Sequence, residues 1–129
     1  VRVLAVDPGD ARIGIAISDP LGLIARPLLV IEHTNRSQDA LRIIELANEH
    51  KAQTIVIGIA LNQDGEVSHQ ARKVLRLVSE IRLSTDLHVL TWDESGSTEE
   101  ALSIGADDEM LDARAAAVIL QDYLNVQAT

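Results

Sequence analysis

Residues 1–19, VRVLAVDPGDARIGIAISD, carry the pattern on which the fold turns. Val1 to Asp7 is a short apolar run closed by Asp7-Pro8-Gly9, as in a buried strand running into a turn. From Arg12 to Asp19, Ile13, Ile15 and Ile17 alternate with Gly14, Ala16 and Ser18, the two-residue period of a strand. Pro20 and Gly22 break that run, and Leu23 to Glu32 reads as extended again. The chain therefore opens on a three-stranded antiparallel meander, with strand one ending at Asp7.

Beyond the meander the period lengthens. Ala40, Ile43, Ile44 and Ala47 fall at i, i+3, i+4 and i+7 and predict a helix starting near Ser37. Thr54 to Gly58 is a short β-branched strand, followed by an Asn62-Gln63-Asp64-Gly65 turn. The stripe Ala71, Val74, Leu75, Val78 and Ile81 predicts a longer second helix, and Leu87 to Trp92 the last strand. The chain then passes through Gly96-Ser97-Thr98 into a short helical piece and a final helix from about Glu109 to Asn125. This order implies an α/β fold: a mixed five-stranded sheet, the antiparallel meander plus two parallel strands, flanked by helices. In such sheets ligands gather beyond the carboxyl ends of the parallel strands.

Composition narrows the function. A length of 129 residues fits one domain spanning 1–129. Apolar residues make up 47%, yet no run approaches the roughly 20 that a membrane span needs, and no charged-then-apolar leader opens the chain, so a cytoplasmic setting is expected. The absence of cysteine excludes disulfides, thiolate metal sites and cysteine nucleophiles. A formal charge of −9 argues against coating nucleic acid through a general positive field, but leaves open a nuclease whose acids are committed to cations. With Trp92 and Tyr123 as the only aromatics, a base-stacking platform is not expected.

Three acids stand out by position. Asp7 closes the first strand, Asp93 and Glu94 close the last, and Asp112 opens the final helix. Crossover topology brings the ends of the first and last strands to one sheet edge. Stepping from Asp112 by i+4, i+7 and i+11 meets Ala116, Ile119 and Tyr123, a packing stripe, so this carboxylate faces the core and needs a partner or a cation. Ala113, Ala115, Ala116 and Ala117 are small enough for the helix to approach the sheet closely. All-oxygen ligation suits Mg2+ or Mn2+, and such ions activate water in phosphodiester cleavage. The structural alternative is that an aspartate in a first helical turn complements the dipole and one after a strand starts a turn. Asp107, Asp108 and Glu109 fit that reading better.

Other features are weaker. Arg12 and the Asn62 loop are candidate phosphate or substrate contacts, and Arg72, Lys73 and Arg76 form a small basic patch on the second helix. His33, His50, His69 and His88 show no ligand spacing. Asp7-Pro8-Gly9 also suits the phosphate-facing turn of an actin-like or sugar-kinase ATPase, but that fold needs two such lobes and 129 residues supply one.

Together, the segments 4–9 and 12–19, Ile57 through Gly65, Trp92-Asp93-Glu94, and Asp112 through Leu124 resemble the YqgF or RuvX-like family nearly end to end. That family is described as pre-16S ribosomal RNA nucleases and, earlier, as Holliday junction resolvases. The resemblance implies a ribonuclease H-like fold and carries three catalytic, metal-holding acids onto Asp7, Glu94 and Asp112. Two departures stand out. Ser95 and Gly96 occupy places where the family has arginine and a bulky apolar residue, and Ala106 runs directly into Asp107-Asp108-Glu109 where the family carries a longer basic stretch.

The expectation is a divalent-metal-dependent nuclease (Mg2+ or Mn2+) that matures the 5' end of pre-16S rRNA, with Arg12 and Asn62 touching substrate. One rival is a junction-resolving DNA endonuclease using the same acids, for which a homodimer with paired sites is expected. The other is a non-catalytic RNA-binding assembly factor whose acids only brace the fold. Monomer and homodimer both stay open.

Overall fold

Five strands form one sheet because the opening meander and the two later β-branched runs present apolar side chains to both faces. The computed structural model describes residues 1–61, 67–94 and 109–128. The expectations for Asn62 and its turn, Ser95, Gly96, the short helical piece, Asp107 and Asp108 lie outside the described residues. The strands are β1 (Val3–Pro8), β2 (Arg12–Ser18), β3 (Ala25–Glu32), β4 (Thr54–Ile59) and β5 (His88–Asp93). The helices are α1 (Arg36–Glu49), α2 (His69–Ser84) and α3 (Leu111–Gln127). Sheet order is β3-β2-β1-β4-β5, with β1–β2 and β2–β3 antiparallel and β1–β4 and β4–β5 parallel. Among the described residues no helix is long and apolar enough to cross a membrane.

The two-residue period assigns each strand residue to a face. Leu4, Val6, Ile13, Ile15, Ile17, Ile55 and Ile57 pack with the apolar stripes of α1 and α2. Val3, Ala5, Ala16 and Val56 pack under α3 with Ala116, Ile119, Leu120 and Leu124. The first layer is built of large aliphatics, the second largely of small residues on the sheet side, so α3 lies close to the strands. Trp92 and Tyr123 lock α3 to β5 edge to face, with ring centroids 5.6 Å apart. At the other side of the sheet, Gln121 donates to the Leu23 carbonyl and accepts from the Ala25 amide, tying α3 to β3. Pro27 is tolerated because β3 is an edge strand, and it sits beside a shift in register against β2.

Local differences from the sequence reading have simple causes. In α2 it is Leu77, not Leu75, that completes the buried stripe, and Leu75 is exposed. Both positions satisfy a helical period, and only the placement of α2 against α1 and the sheet selects between them. β3 begins at Ala25 rather than Leu23 because Asp19 gathers the amides of Leu21, Leu23 and Ile24 into a turn. Those backbone donors also hold the Asp19 carboxyl below its ordinary range, Ile24 and Leu23 contributing most. α3 starts at Leu111, two residues after the expected Glu109, and runs on to Gln127.

Candidate active site

The carboxyl edge of β1, β4 and β5 is built so that two acids meet across a strand that lies between them. Asp7 stands opposite Gly14 of β2 on one side and one residue beyond the Val6–Ile57 pairing with β4 on the other. Glu94 follows β5 directly, its amide donating to the Ile59 carbonyl at 2.9 Å. Between the two lies Gly58. A Cβ there would come within 2.6 Å of Ile119 Cδ1 and 3.3 Å of the Glu94 carboxyl group. The missing side chain is what leaves room for Glu94 to lie over β4 and share a side-chain hydrogen bond with Asp7.

Gly14 does the same for α3. A Cβ at that position would sit 1.8 Å from the Asp112 carbonyl oxygen. No side chain fits, so the first turn of α3 rests on the β2 backbone and Asp112 arrives beside Asp7. The alanine run anticipated the close approach, with Ala113 and Ala116 fully buried. The two glycines that create the space were not singled out by the sequence reading. Their signal was a glycine inside a strand pattern, a mark of close backbone approach.

The electrostatics follow from that crowding. Burial is the largest cause pushing the Asp7 carboxyl up from 3.8 to about 7, and the charges of Glu94 and then Asp112 act in the same direction. Burial also raises Glu94, with help from Asp93, while the hydrogen bond with Asp7 pulls it the other way. These opposed effects place the shared proton more tightly on Asp7 than on Glu94. Asp112 has its own partner: Arg12 Nε donates to Asp112 Oδ2 at 3.0 Å, from a side chain that is 63% exposed.

The structure thus brings together four of the five residues singled out for the site, Asp7, Glu94, Asp112 and Arg12; Asn62 lies outside the described residues. The partner expected for Asp112 is a guanidinium. Among the described residues no group of three histidine or acidic side chains is gathered tightly enough to grip one ion. The donors present are carboxylate oxygens, suited in kind to a hard divalent cation, and one would relieve the crowding of acids around Asp7. Closing such a site requires Asp112 to turn from Arg12 toward Asp7.

Residues 1–126 match the family model described as RuvX: Holliday junction resolvase. A protein from Desulforamulus reducens named "Putative pre-16S rRNA nuclease" is 37% identical, with 97% of each chain covered. Its namesake from Thermoanaerobacter pseudethanolicus is 34% identical, covering 98% of each. Among solved structures, Thermus thermophilus RuvC superposes with a TM-score of 0.62 at 13% identity over 99% of this chain and 96% of that one. The fowlpox virus Holliday junction resolvase gives 0.61 at 13% over 98% and 99%. These two likenesses concern the fold, and they bear out the ribonuclease H-like expectation. With a family model spanning nearly its whole length and relatives matching it end to end, the chain belongs to the RuvX family.

Proposed function

We propose that this protein is a divalent-metal-dependent nuclease that hydrolyses RNA phosphodiester bonds and trims the 5' end of pre-16S rRNA in the cytoplasm. Asp7, Glu94 and Asp112 hold the metal. The observation that carries this reading is the Asp7–Glu94 pair meeting over Gly58 with Asp112 close enough to disturb Asp7. A fold gains nothing from crowding half-buried carboxyl groups side by side, whereas a cation site needs them. The names of the relatives supply the substrate.

When bound, Mg2+ or Mn2+ would lower the pKa of a water and stabilise charge on the leaving oxygen. The chain's own residues do the rest. Asp7 and Glu94 would hold the cation once their shared proton is released to solvent, Asp112 would be the third carboxylate, and Arg12 would be free to meet a phosphate oxygen when Asp112 turns away. Asn62, following β4, contributes a polar contact to the strand.

The test is cleavage of a precursor RNA in magnesium or manganese by wild type and Asp7→Asn. Loss of a ligand should lower the rate by at least about 100-fold, since metal stabilisation of the transition state amounts to several kcal/mol. Equal rates would end the metal-ligand assignment. The description of the matching family model favours one second reading, a junction-resolving DNA endonuclease using the same acids. That reading predicts a homodimer cutting four-way DNA faster than precursor RNA, so a monomer active only on RNA would dismiss it.

A further inference from the structure

On the other face of the sheet, between α1, α2 and the turn after β1, lies a cavity of about 480 Å³. Asp7, Glu94 and Asp112 are not among its lining residues. Resting on the nuclease reading, we propose that this cavity is a second contact site for the nucleic-acid strand, receiving the sugar–phosphate of a nucleotide flanking the one that is cut.

Charge is the first reason. The chain has 20 acidic residues against 11 Lys and Arg, yet Arg36, Lys73 and Arg76 all line this one cavity together with His33. Two acids also reach it. Asp39 is 4% exposed and already committed: one carboxylate oxygen meets His33 Nδ1 and the other accepts from the Thr34 amide at 3.1 Å. Asp10 stands on the exposed rim, 3.7 Å from Lys73 Nζ, a pair loose enough in water to yield to a phosphate. The surplus is positive, in a protein whose overall charge is −9.

The second reason is that His33 is held in place. A buried carboxylate on Nδ1 sets the orientation of the ring, on a residue that lines the cavity, and leaves Nε2 as the nitrogen not taken up by Asp39. Sequence spacing gave this histidine no role; the structure braces it against a buried acid although its own side chain is 41% exposed.

Size and position favour a nucleotide unit over a bare anion. A cavity of this volume is in the range of organic ligand sites and far exceeds a phosphate, and Ile13, Val74 and Leu77 offer apolar walls for a sugar. Pro8, Gly9 and Asp10 form part of its rim and follow Asp7 directly in the chain. A strand bound at Asp7 therefore needs only to round the β1–β2 turn to enter it.

The experiment is carried out on Asp7→Asn protein, so that RNA is not cut. Binding of a labelled single-stranded precursor RNA is followed by fluorescence anisotropy across a salt series. Adding Lys73→Ala and Arg76→Ala should weaken binding about tenfold and flatten the log–log salt slope by about 1.4, at roughly 0.7 per phosphate contact on a single strand. Arg42→Ala with Arg26→Ala, two exposed cations outside the cavity, should change affinity less than twofold. Unchanged affinity and slope in the cavity variant, an equal loss in the control, or no RNA binding at all each overturns the proposal. A second arm titrates inorganic phosphate and follows the Gly9, Thr34 and Arg36 amides by NMR. If phosphate shifts them while RNA does not, the cavity is a free-anion site and the strand assignment falls. RNA binding that depends on the cavity, in a protein whose wild type cuts nothing, would instead defeat the nuclease reading and leave this inference standing.

Discussion

The two faces of β1 carry opposite chemistry within a few residues of each other. On the α3 face, small residues and two glycines let a helix settle onto the sheet, and burial, aided by the neighbouring acids, makes Asp7 hold its proton near neutrality. On the α1/α2 face, large aliphatics keep the helices farther off, and the edge opens into a cavity lined by cations, its one buried acid fully occupied. Close packing concentrates charge of one sign; looser packing at the strand end leaves room for a ligand of that sign. One strand, alternating residue by residue, serves both.

The sharpest way to break this contrast is to fill the space under α3. Gly14→Ala sets a methyl against the Asp112 carbonyl, backbone that cannot yield cheaply, and should destabilise the protein by about 3 kcal/mol or more. Urea unfolding measures it, and nuclease activity should fall with the displacement of Asp112.

A milder test leaves the packing alone and removes the charge. Because the folded-state pKa of Asp7 is raised from 3.8 to about 7, the native chain keeps a proton that the unfolded chain releases across that window. Stability from this group is therefore greatest below about pH 4, declines as pH rises toward 7, and levels off above; Glu94, also raised, adds in the same sense. The loss amounts to roughly 2–4 kcal/mol without metal. Asp7→Asn in chelator should melt several degrees above wild type at pH 8 and alongside it at pH 4. Adding manganese at pH 8 should raise the wild-type melting temperature and leave the variant's unchanged.

On the opposite face the corresponding change is Asp39→Ala, which strips His33 and the Thr34 amide of their acceptor. A cost of about 1–3 kcal/mol is expected from calorimetry. It should leave the cleavage rate of short substrates closer to wild type than Asp7→Asn does. The smallest effect belongs to Arg12→Ala. An exposed ion pair contributes about 1 kcal/mol or less, so unfolding should barely change while Asp112 is released. Isothermal titration should then find manganese binding at least as tight as in wild type.

Much of this arrangement was legible in the residues. Ile13, Ile15 and Ile17 alternating with small partners fixed the meander, and the Ala116–Ile119–Tyr123 stripe marked the packed face of the last helix, although Asp112 at its start is partly exposed and turned to Arg12 rather than inward. Both signals are local, set by backbone periods of two and 3.6 residues. Leu75 and Leu77 show the limit: each fits the helical period, and only contact with the neighbouring layers chose the latter.

What local pattern determined, then, was the elements, their order and the candidate acids at their ends. Tertiary structure decided who meets whom. Arg12 reaches Asp112 across 100 positions of sequence, Gly58 opens the path between Asp7 and Glu94, and Asp39 braces His33 at the wall of a basic cavity. Periodicity fixes the face on which a side chain lies. Its partner, and hence its charge state, depends on which distant strand or helix packs there and how closely.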